Sequence, residues 1–421
     1  MFCAICPNLG LSFSIWKSFE RFVCSLRPVW CLRFGTVPSA NRTPKNPKLV
    51  ASNAPSGAQY WAQLHELGLQ AGLDVLGVAP AGVMHRALEQ LHNRQSRGLV
   101  NGMKFTYLRP ERSTNPAQLV DEARTVIVGM RSYAFDEPET QSTDAPLARV
   151  ARYAWDDHYG HLKASLTQVA AQLRIDGHRA TVFADDNSIV DREIAYLAGL
   201  GWFGRNANIL VPGKGSMMVI GCIVTTADLP IATPLEDGCG TCVRCQPACP
   251  TGAIIEPGVI DANRCLSWLL QKPGIFDRTH RVALADRIYG CDDCQTVCPP
   301  TKRGGSQPAM SNHVSFIDAV SWLHLDDNAL EAACDGWYVH GRDMTWVRRN
   351  LLIILGNIAS PTDEAVIEVV RRYLSHERAE LRAHAVWVAA RLGLNSLLHF
   401  DDPDELVGEE LAHLPTLRGD L

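Results

Sequence analysis

Eight of the fourteen cysteines lie in one short segment of the chain, at spacings that iron–sulfur clusters use. The segment holds a C-x2-C-x2-C-x3-C-P run, a second run that repeats its last part, and one cysteine between them: Cys239, Cys242, Cys245, Cys249, Cys265, Cys291, Cys294 and Cys298. A tight loop places three thiolates at three corners of one cube, and a fourth, followed by proline, points to a neighbouring cube. The spacing therefore predicts two adjacent [4Fe–4S] clusters with exchanged fourth ligands.

This exchange divides the eight cysteines into two sets. The first quartet is Cys239, Cys242, Cys245 and Cys298, and the second quartet is Cys249, Cys265, Cys291 and Cys294. Structural zinc also binds C-x2-C pairs, but zinc needs only four ligands and gains nothing from this shared arrangement. The remaining cysteines are left out of the predicted sites, Cys222 and Cys334 as small buried hydrophobes. The others fit no ligand pattern: Cys3, Cys6, Cys24 and Cys31.

Composition sets limits on the class of protein. The chain has 421 residues, 46% of them hydrophobic, which is enough for two or three domains with their own cores. A net charge of −5 gives no general attraction to nucleic acid or acidic lipid, so such a contact needs a local basic surface. Clustered cysteines favour a reducing compartment, and neither a long apolar run nor a signal-peptide pattern is present. We therefore expect a cytoplasmic protein that does not contact a membrane.

Hydrophobic periodicity divides the chain into four ranges, 1–58, 59–234, 235–305 and 306–421. The first reads as an N-terminal extension with a linker, and the third as the cysteine-rich segment. In the second range, predicted strands near 75–78, 125–129, 180–184 and 217–224 alternate with helices, which indicates an α/β or α+β layer. The last range carries three successive amphipathic helices, near 346–358, 366–374 and 381–392, which suggests a helical repeat.

Two acidic residues follow the predicted strand 180–184. Asp185 or Asp186 could act as a general acid facing a cleft, although an aspartate at this position is more often a helix cap. The glycine-rich stretch 199–204 likewise reads most simply as a turn.

The order of motifs over residues 59–395 resembles that of epoxyqueuosine reductases, cobalamin-dependent iron–sulfur enzymes that complete queuosine synthesis on tRNA. Besides both cysteine sets, the matching segments are Arg152-Tyr153-Ala154, Asp191-Arg192 through Gly204-Arg205-Asn206 with Asn208, Gly215-Ser216, Asp261 to Ser267, Tyr289-Gly290-Cys291-Asp292 and Arg348-Arg349-Asn350. The combination is far more specific than any one of these segments.

This resemblance implies an α+β protein with three functional parts. Residues 59–234 would form a nitroreductase-like, cobalamin-binding catalytic domain, 235–305 a ferredoxin-type domain with two [4Fe–4S] clusters, and 306–421 a HEAT-like helical region. Electrons from the clusters would reduce cobalt to Co(I), and the epoxide oxygen would leave as water, which needs two electrons and two protons. The implied partners are tRNA carrying epoxyqueuosine and a low-potential electron donor, and the implied state is a monomer.

The resemblance also assigns site residues. Asp185 corresponds to the family's proton donor, and the implied cobalamin contacts are Asp185, Asn208, Ser216, Ser267 and Asp292. Two departures are visible: Ala184-Asp185-Asp186-Asn187-Ser188 stands where the family has Val-Asp-Thr-Gly-Pro, and Asp157-His158-Tyr159-Gly160 stands where it has Lys-Asp-Tyr-His. Only Tyr159 carries over from the second stretch. No Asp-x-His-x-x-Gly motif is present, which is consistent with cobalamin that has no protein axial ligand.

Three further interpretations remain open. Arginines of the C-terminal helices could present a basic surface to tRNA phosphates: Arg348, Arg349, Arg371, Arg372, Arg378 and Arg382. A corrinoid reductive dehalogenase shares the domain plan, but such enzymes carry a twin-arginine export signal that residues 1–55 lack. An electron-carrier subunit that binds a partner through its helical repeat, without cobalamin, would account for the clusters alone.

Overall fold

A computed structural model of the chain describes residues 57–138 and 144–418. The predicted extension up to residue 56, with its four cysteines, lies outside the described residues. The elements of the first part are α1 (Gly57–Gln70), β1 (Val75–Pro80), α2 (His85–Ser96), α3 (Pro110–Ser113), β2 (Thr125–Ser132), β3 (Leu147–Val150), α4 (His158–Ile175), β4 (Ala180–Ala184), α5 (Asp191–Leu197), β5 (Trp202–Phe203), β6 (Ile209–Leu210) and β7 (Met218–Thr225). The four strands predicted here are confirmed.

The main sheet has the strand order β1-β2-β7-β4, and every neighbouring pair is antiparallel. Its two central strands are buried on both faces, which explains their nearly continuous apolar sequences. On one face Ile127 and Ile223 pack with residues of α1 and α4. On the other face Val128 and Cys222 pack with residues of α2 and α5, so Cys222 is a core residue. An antiparallel sheet between helices makes the chain a mixed α+β protein.

The cysteine-rich segment consists of short elements. They are β8 (Ile254–Glu256), β9 (Val259–Ile260), α6 (Leu266–Leu269), α7 (Arg278–Leu284), β10 (Arg287–Tyr289), α8 (Asp293–Thr296) and α9 (Pro299–Gly304). Strand β10 pairs in parallel with β3, whose other edge pairs with a strand of the last region, β11 (Phe316–Asp318). This three-stranded sheet joins three distant stretches of the chain, and the sequence did not predict it.

Helices dominate the last region. After β11 they are α10 (Ala319–His324), α11 (Asp327–Ala333), α12 (Thr345–Ile358), α13 (Glu364–Leu374), α14 (Ala379–Arg391) and α15 (Glu405–Ala412). Four of them begin at an aspartate whose side chain accepts a backbone N–H of the first turn: Asp318, Asp326, Asp363 and Asp404. Such caps satisfy donors that a helix start leaves free. The predicted amphipathic helices correspond to α12, α13 and α14.

A continuous apolar core joins these helices to the cysteine-rich segment. Leu266, Leu270 and Leu284 of that segment pack in the same cluster as the buried faces of α12 and α14. Metal bonds can replace an apolar core in a short cysteine-rich segment, but residues 266–288 contribute to this apolar core. Cys334 is fully buried in the same cluster, as predicted.

The Arg348-Arg349-Asn350 motif ties α12 to the backbone of the cysteine-rich segment. Arg349 is buried and donates to the carbonyl oxygens of Lys272 at 2.6 Å and Gly274 at 2.8 Å. Asn350 donates to the carbonyl oxygen of Leu270 at 2.8 Å. Carbonyl groups buried at this junction therefore have their hydrogen bonds satisfied, which accounts for these buried polar side chains without any ligand.

The predicted basic surface on these helices is wrong. Arg349 is buried, Arg348 pairs with Asp327, and Arg372 donates to the carbonyl oxygen of Leu323. Two more are neutralised by carboxylates, Arg378 by Glu380 and Asp343, and Arg382 by Asp402. Of the six, only Arg371 has neither an ion pair nor a side-chain hydrogen bond to a residue that the structure describes. In the same part of the chain, no helix combines the length and apolar character needed to cross a membrane.

Candidate iron–sulfur and active site

The structure brings the eight cysteines together in the two quartets that the spacing predicts. Burial raises the pKa of Cys298, and the neighbouring Cys239 and Cys242 raise it further, so Cys298 lies with the first run. Burial also raises the pKa of Cys294 well above its usual range, with added contributions from Cys291, Cys265 and Cys249. Within each quartet the negative thiolates repel one another, which raises their pKa values. A cationic iron–sulfur core would remove this repulsion. The donor set therefore fits two [4Fe–4S] clusters.

The first quartet lines a cavity of about 670 Å³. Cys298 has an extended backbone and is followed by Pro299 at the first position of α9. Proline suits this position because its ring fixes a helical φ and the missing N–H would have no partner there. Arg205 also lines the cavity, and it donates to the carbonyl oxygen of Gly240 at 2.6 Å, which holds the loop that carries the first three cysteines.

The second quartet lies among charged and hydrogen-bonding groups. Cys249 accepts the backbone N–H of Ala253 at 3.2 Å, and Cys265 accepts backbone N–H groups from the start of α6, at Ser267 and Trp268. The sulfur of Cys291 is 3.4 Å from a carboxylate oxygen of Asp293. Asp293 is in turn paired with Arg287, whose Nη2 is 2.7 Å from that carboxylate.

Two glycines of the predicted motifs let the sheet region approach the cysteine-rich segment closely. Gly215 has φ +79°, and a Cβ there would be 2.3 Å from the Cα of Thr301. Gly290 has φ +72°, and its Cβ would be 2.5 Å from the ring of Tyr153. Any larger residue at either position would force the two regions apart. Both glycines thus set the position of the quartets relative to the sheet.

Asp185 follows β4 directly and adopts φ +52°, a conformation that aspartate tolerates better than most residues. Its carboxylate accepts no hydrogen bond from any residue in the described part of the chain. The residue is exposed, but surrounding protein still shields its carboxyl group partly from water, which raises its pKa. The nearby Asp191 and Asp186 raise the pKa further. The helix-cap interpretation does not apply, because α5 begins after Val190. Asp186 instead accepts the backbone N–H of Ser188 at 2.7 Å.

Two tyrosines and one cation interact electrostatically with Asp185 or with a cysteine of the second quartet. Burial raises the pKa of Tyr159, Asp191 and Asp185 raise it further, and Arg192 opposes the shift. Burial likewise raises the pKa of Tyr289 to about 12, and Asp185 contributes to that shift. Burial raises the pKa of the Cys265 thiol, and the positive charge of Arg192 lowers it. An acid, two phenols and a guanidinium are thus electrostatically linked to one another, and the guanidinium also to the second quartet.

Comparisons with known proteins agree with this arrangement. Residues 113–186 match the family model described as epoxyqueuosine reductase QueG, DUF1730, and residues 238–301 match the 4Fe-4S double cluster binding domain. The epoxyqueuosine reductase of Bacillus anthracis is 31% identical over 336 residues, which cover 76% of this chain and 86% of that protein. The chain belongs to the epoxyqueuosine reductase family. It is therefore an oxidoreductase with a double [4Fe–4S] cluster binding domain.

Two further relatives extend the comparison over most of the chain. The epoxyqueuosine reductase of Xanthomonas campestris pv. campestris is 30% identical over 348 residues, or 79% of this chain and 96% of that protein. The crystal structure of an epoxyqueuosine reductase with an epoxyqueuosine-modified tRNA-Tyr stem loop has a TM-score of 0.76. It covers 84% of this chain and 97% of that chain at 24% identity, and so shows a shared fold.

The residues that the family resemblance assigns to cobalamin fall into two groups in this member. Ser216 is buried and donates to Gln295 at 3.1 Å, and Asp292 accepts the backbone N–H of Arg152 at 2.7 Å. These two side chains are already engaged by the protein. The amide of Asn208 has only a long contact, 3.5 Å to the carbonyl oxygen of Asn206. The hydroxyl of Ser267 has no hydrogen-bond partner among the described residues.

Arg192 is the residue that sequence reasoning did not assign to the site. It lies in a matching motif next to Asp191, and the motif by itself gives it no role. Its exposed side chain has no ion pair within the described part of the chain, yet its charge acts on both Tyr159 and Cys265. The signal available in the sequence was an arginine beside an aspartate within a matching motif.

Proposed function

We propose that this protein reduces epoxyqueuosine to queuosine in the anticodon loop of tRNA, with cobalamin and two [4Fe–4S] clusters. The observation that carries the proposal is the unpartnered Asp185 carboxyl group, whose pKa is raised and whose neighbours lead to the second quartet. Family membership supports epoxyqueuosine as the substrate, because the relatives are named epoxyqueuosine reductases. A corrinoid dehalogenase would need no tRNA, and an electron-carrier subunit would need no acid.

The proposed division of labour follows the four predicted ranges. Residues 59–234 would be the nitroreductase-like, cobalamin-binding domain, 235–305 the ferredoxin-type domain and 306–421 the HEAT-like region, with 1–58 as an extension. Support comes from the main sheet with helices on both faces, the paired quartets and the successive helices α12 to α14. The tRNA substrate implies a cytoplasmic location.

The proposed reaction requires an acid, a positioned cofactor and a source of electrons. Bound cobalamin would supply a strongly reducing cobalt centre. Asn208 and Ser267 offer neutral hydrogen-bonding groups suited to the amide side chains at the edge of a corrin ring. Ser216 and Asp292 would act as positioning residues, because their own bonds join the sheet region to the cysteine-rich segment.

Asp185 would donate a proton to the oxygen that leaves the substrate ring. Its raised pKa keeps a larger fraction of the carboxyl group protonated at neutral pH than an ordinary aspartate would have. Arg192 and Tyr159 lie close enough to influence this charge. The overall change, loss of the epoxide oxygen as water, consumes two electrons and two protons, and two one-electron clusters can deliver the electrons in succession.

The test is anaerobic reconstitution with iron, sulfide and cobalamin, followed by reduction and mass analysis of nucleosides from epoxyqueuosine-containing tRNA. We expect conversion to queuosine, its loss in Asp185→Asn, and its retention in the neighbouring control Asp186→Asn. Both variants should keep cobalamin and both clusters. Tight cobalamin binding without conversion would favour another corrinoid reduction, and no cobalamin binding would favour the electron carrier.

A further inference from the structure

The cavity beside the first quartet has an unusual charge for a protein with a net charge of −5. Three arginines line it together with the four thiols, and no carboxylate does: Arg205, Arg244 and Arg303. Lys302 precedes Arg303 in the last turn of α9. We call these four residues the basic rim. It is a local feature, since the chain as a whole is acidic.

The cations of the basic rim are not neutralised by the protein. None of the four forms an ion pair with a residue that the structure describes, and Arg244, Lys302 and Arg303 are exposed. Some exposed arginines elsewhere are paired, as in Arg124 with Asp228 and Arg179 with Glu122, whereas Arg192 and Arg371 form no ion pair with a described residue. The nearest acid in sequence, Asp237, accepts the backbone N–H of Cys239 at 2.8 Å. The rim is therefore free to attract an acidic partner.

The rim also encloses an apolar contact. Val243 lines the same cavity and is 45% exposed, which is high for a valine. A small apolar centre inside a ring of charge is the composition of a transient protein interface, in which charge guides the encounter and a small contact allows fast release. Electron-transfer complexes are among the smallest of these interfaces.

We propose that the basic rim is the docking site of a small acidic ferredoxin, which delivers electrons one at a time to the cluster of the first quartet. In each encounter the ferredoxin cluster is oxidised by one electron and the first-quartet cluster is reduced by one, and no bond forms or breaks. Two encounters supply the two electrons of the proposed reduction. This proposal rests on the proposed redox function but not on the identity of its substrate.

The position of the two quartets favours a redox partner over tRNA at this surface. The sheet region that carries Asp185 meets the second quartet, since Asp292, next to Cys291, accepts the backbone N–H of Arg152, and the ring of Tyr289 is 5.8 Å from that of Tyr153. None of the groups named around Asp185 lines the cavity. A nucleotide that reacts beside Asp185 has no need to reach the first quartet. An electron entering at the rim meets the first quartet and then the second, which lies on the side of the acid.

The test uses the reconstituted protein and a [2Fe–2S] ferredoxin of strongly acidic composition. Calorimetric titration with oxidised ferredoxin measures binding without turnover, and stopped-flow absorbance measures cluster reduction by reduced ferredoxin. We expect Arg244→Glu/Arg303→Glu to weaken binding at least tenfold and to slow reduction by ferredoxin at least tenfold at low ionic strength. Reduction by the small dye methyl viologen should be unchanged, and salt should slow only the wild-type reaction with ferredoxin.

A matched control makes the same charge change away from the rim. Lys163→Glu/Arg371→Glu alters two exposed cations of α4 and α13 and should leave binding and reduction within about twofold, because distant surface charges are screened. Iron content and absorbance show whether the rim variant keeps its clusters. If the clusters are lost, Arg244→Gln/Arg303→Gln replaces the charge reversal, and its expected effect on binding and reduction is intermediate. Unchanged ferredoxin binding in the rim variant, or weakened binding of a tRNA stem loop instead, would overturn the proposal. Failure to form queuosine with a chemical reductant would count against the substrate alone.

Discussion

The two quartets use the same four ligands in different surroundings. The first quartet faces a cavity whose wall carries unpaired arginines. The second has Asp293 close to Cys291, and Arg192 acts on Cys265 from the side of Asp185. Cys245 and Cys298 of the first quartet are buried and all four cysteines of the second are half-buried, so the open cavity does not reflect greater exposure of the first quartet's cysteines. What differs is the sign and accessibility of the neighbouring charge, which suits one site to receive electrons and the other to pass them on.

Two single variants, each lacking one ligand of one quartet, should show the largest effects on iron content and turnover. Cys298→Ser and Cys265→Ser should each reduce the iron content from about eight to about four atoms per chain. Cys265→Ser should abolish turnover with every reductant, because it removes the cluster on the side of Asp185. Cys298→Ser should abolish turnover driven by ferredoxin and retain some turnover with methyl viologen, which can reach the second cluster directly.

Iron analysis and electron paramagnetic resonance of the reduced proteins measure these losses. Cys222→Ser is the control, since Cys222 is a core residue outside both quartets and the variant should keep both clusters. If Cys298→Ser and Cys265→Ser abolished the same electron paramagnetic resonance signal, the two cysteines would bind one cluster, and the predicted exchange of fourth ligands would be wrong.

The proton donor on the side of the second quartet should give the next largest effect. Asp185→Asn is expected to slow turnover by about 10²–10⁴-fold, the usual contribution of a positioned acid. Because burial and neighbouring carboxylates raise the pKa of Asp185, the protonated form is lost as pH rises through that raised value. Turnover should therefore fall with rising pH in the native protein, and the residual turnover of the variant should lack this fall.

The same pKa shift has a consequence for stability. A carboxyl group whose folded-state pKa lies above its unfolded value stabilises the fold at low pH and loses that contribution as pH rises through the folded value. Asp185→Asn should accordingly be no less stable than the native protein at neutral pH, as thermal unfolding will show. A marked loss of stability would mean that Asp185 is a structural residue.

The contact that positions the first quartet can be tested at Gly215. Gly215→Ala should destabilise the protein through both its φ and the contact with Thr301, whereas Gly213→Ala has φ +72° with no atom within 4 Å. The left-handed backbone alone costs about 1–2 kcal/mol, and overpacking adds about 1–3 kcal/mol. Chemical denaturation of both variants separates the two contributions. Equal losses would show that the approach to Thr301 is not tight.

The smallest expected effect concerns the charge beside Cys291. Asp293→Asn removes a negative charge 3.4 Å from a thiolate of the second quartet. Since the reduced cluster carries one more negative charge, the reduction potential of the second cluster should rise. A redox titration followed by electron paramagnetic resonance should show the shift in one cluster only. A shift of both, or of the first alone, would contradict the assignment of Cys291.

Local patterns in the sequence determined the elements of the sheet, the C-terminal helices and the cysteine spacing. Strands β2 and β7 and helices α4, α12 and α14 were predictable because each is long enough to show a repeating apolar pattern. The spacing of the cysteines acts within one loop, so the chemistry of the ligands could be inferred without the fold. The order of motifs was specific enough to indicate the family.

Tertiary structure alone decided how these parts meet. Strands β3, β10 and β11 have three or four residues each, too few to show periodicity, and their pairing joins distant parts of the chain. The arginines of the C-terminal helices looked like a basic surface, because a sequence shows charge but not the carboxylate or carbonyl group that it meets. For the same reason, only the fold shows that Asp185 is unpartnered and that the cations beside the first quartet are free.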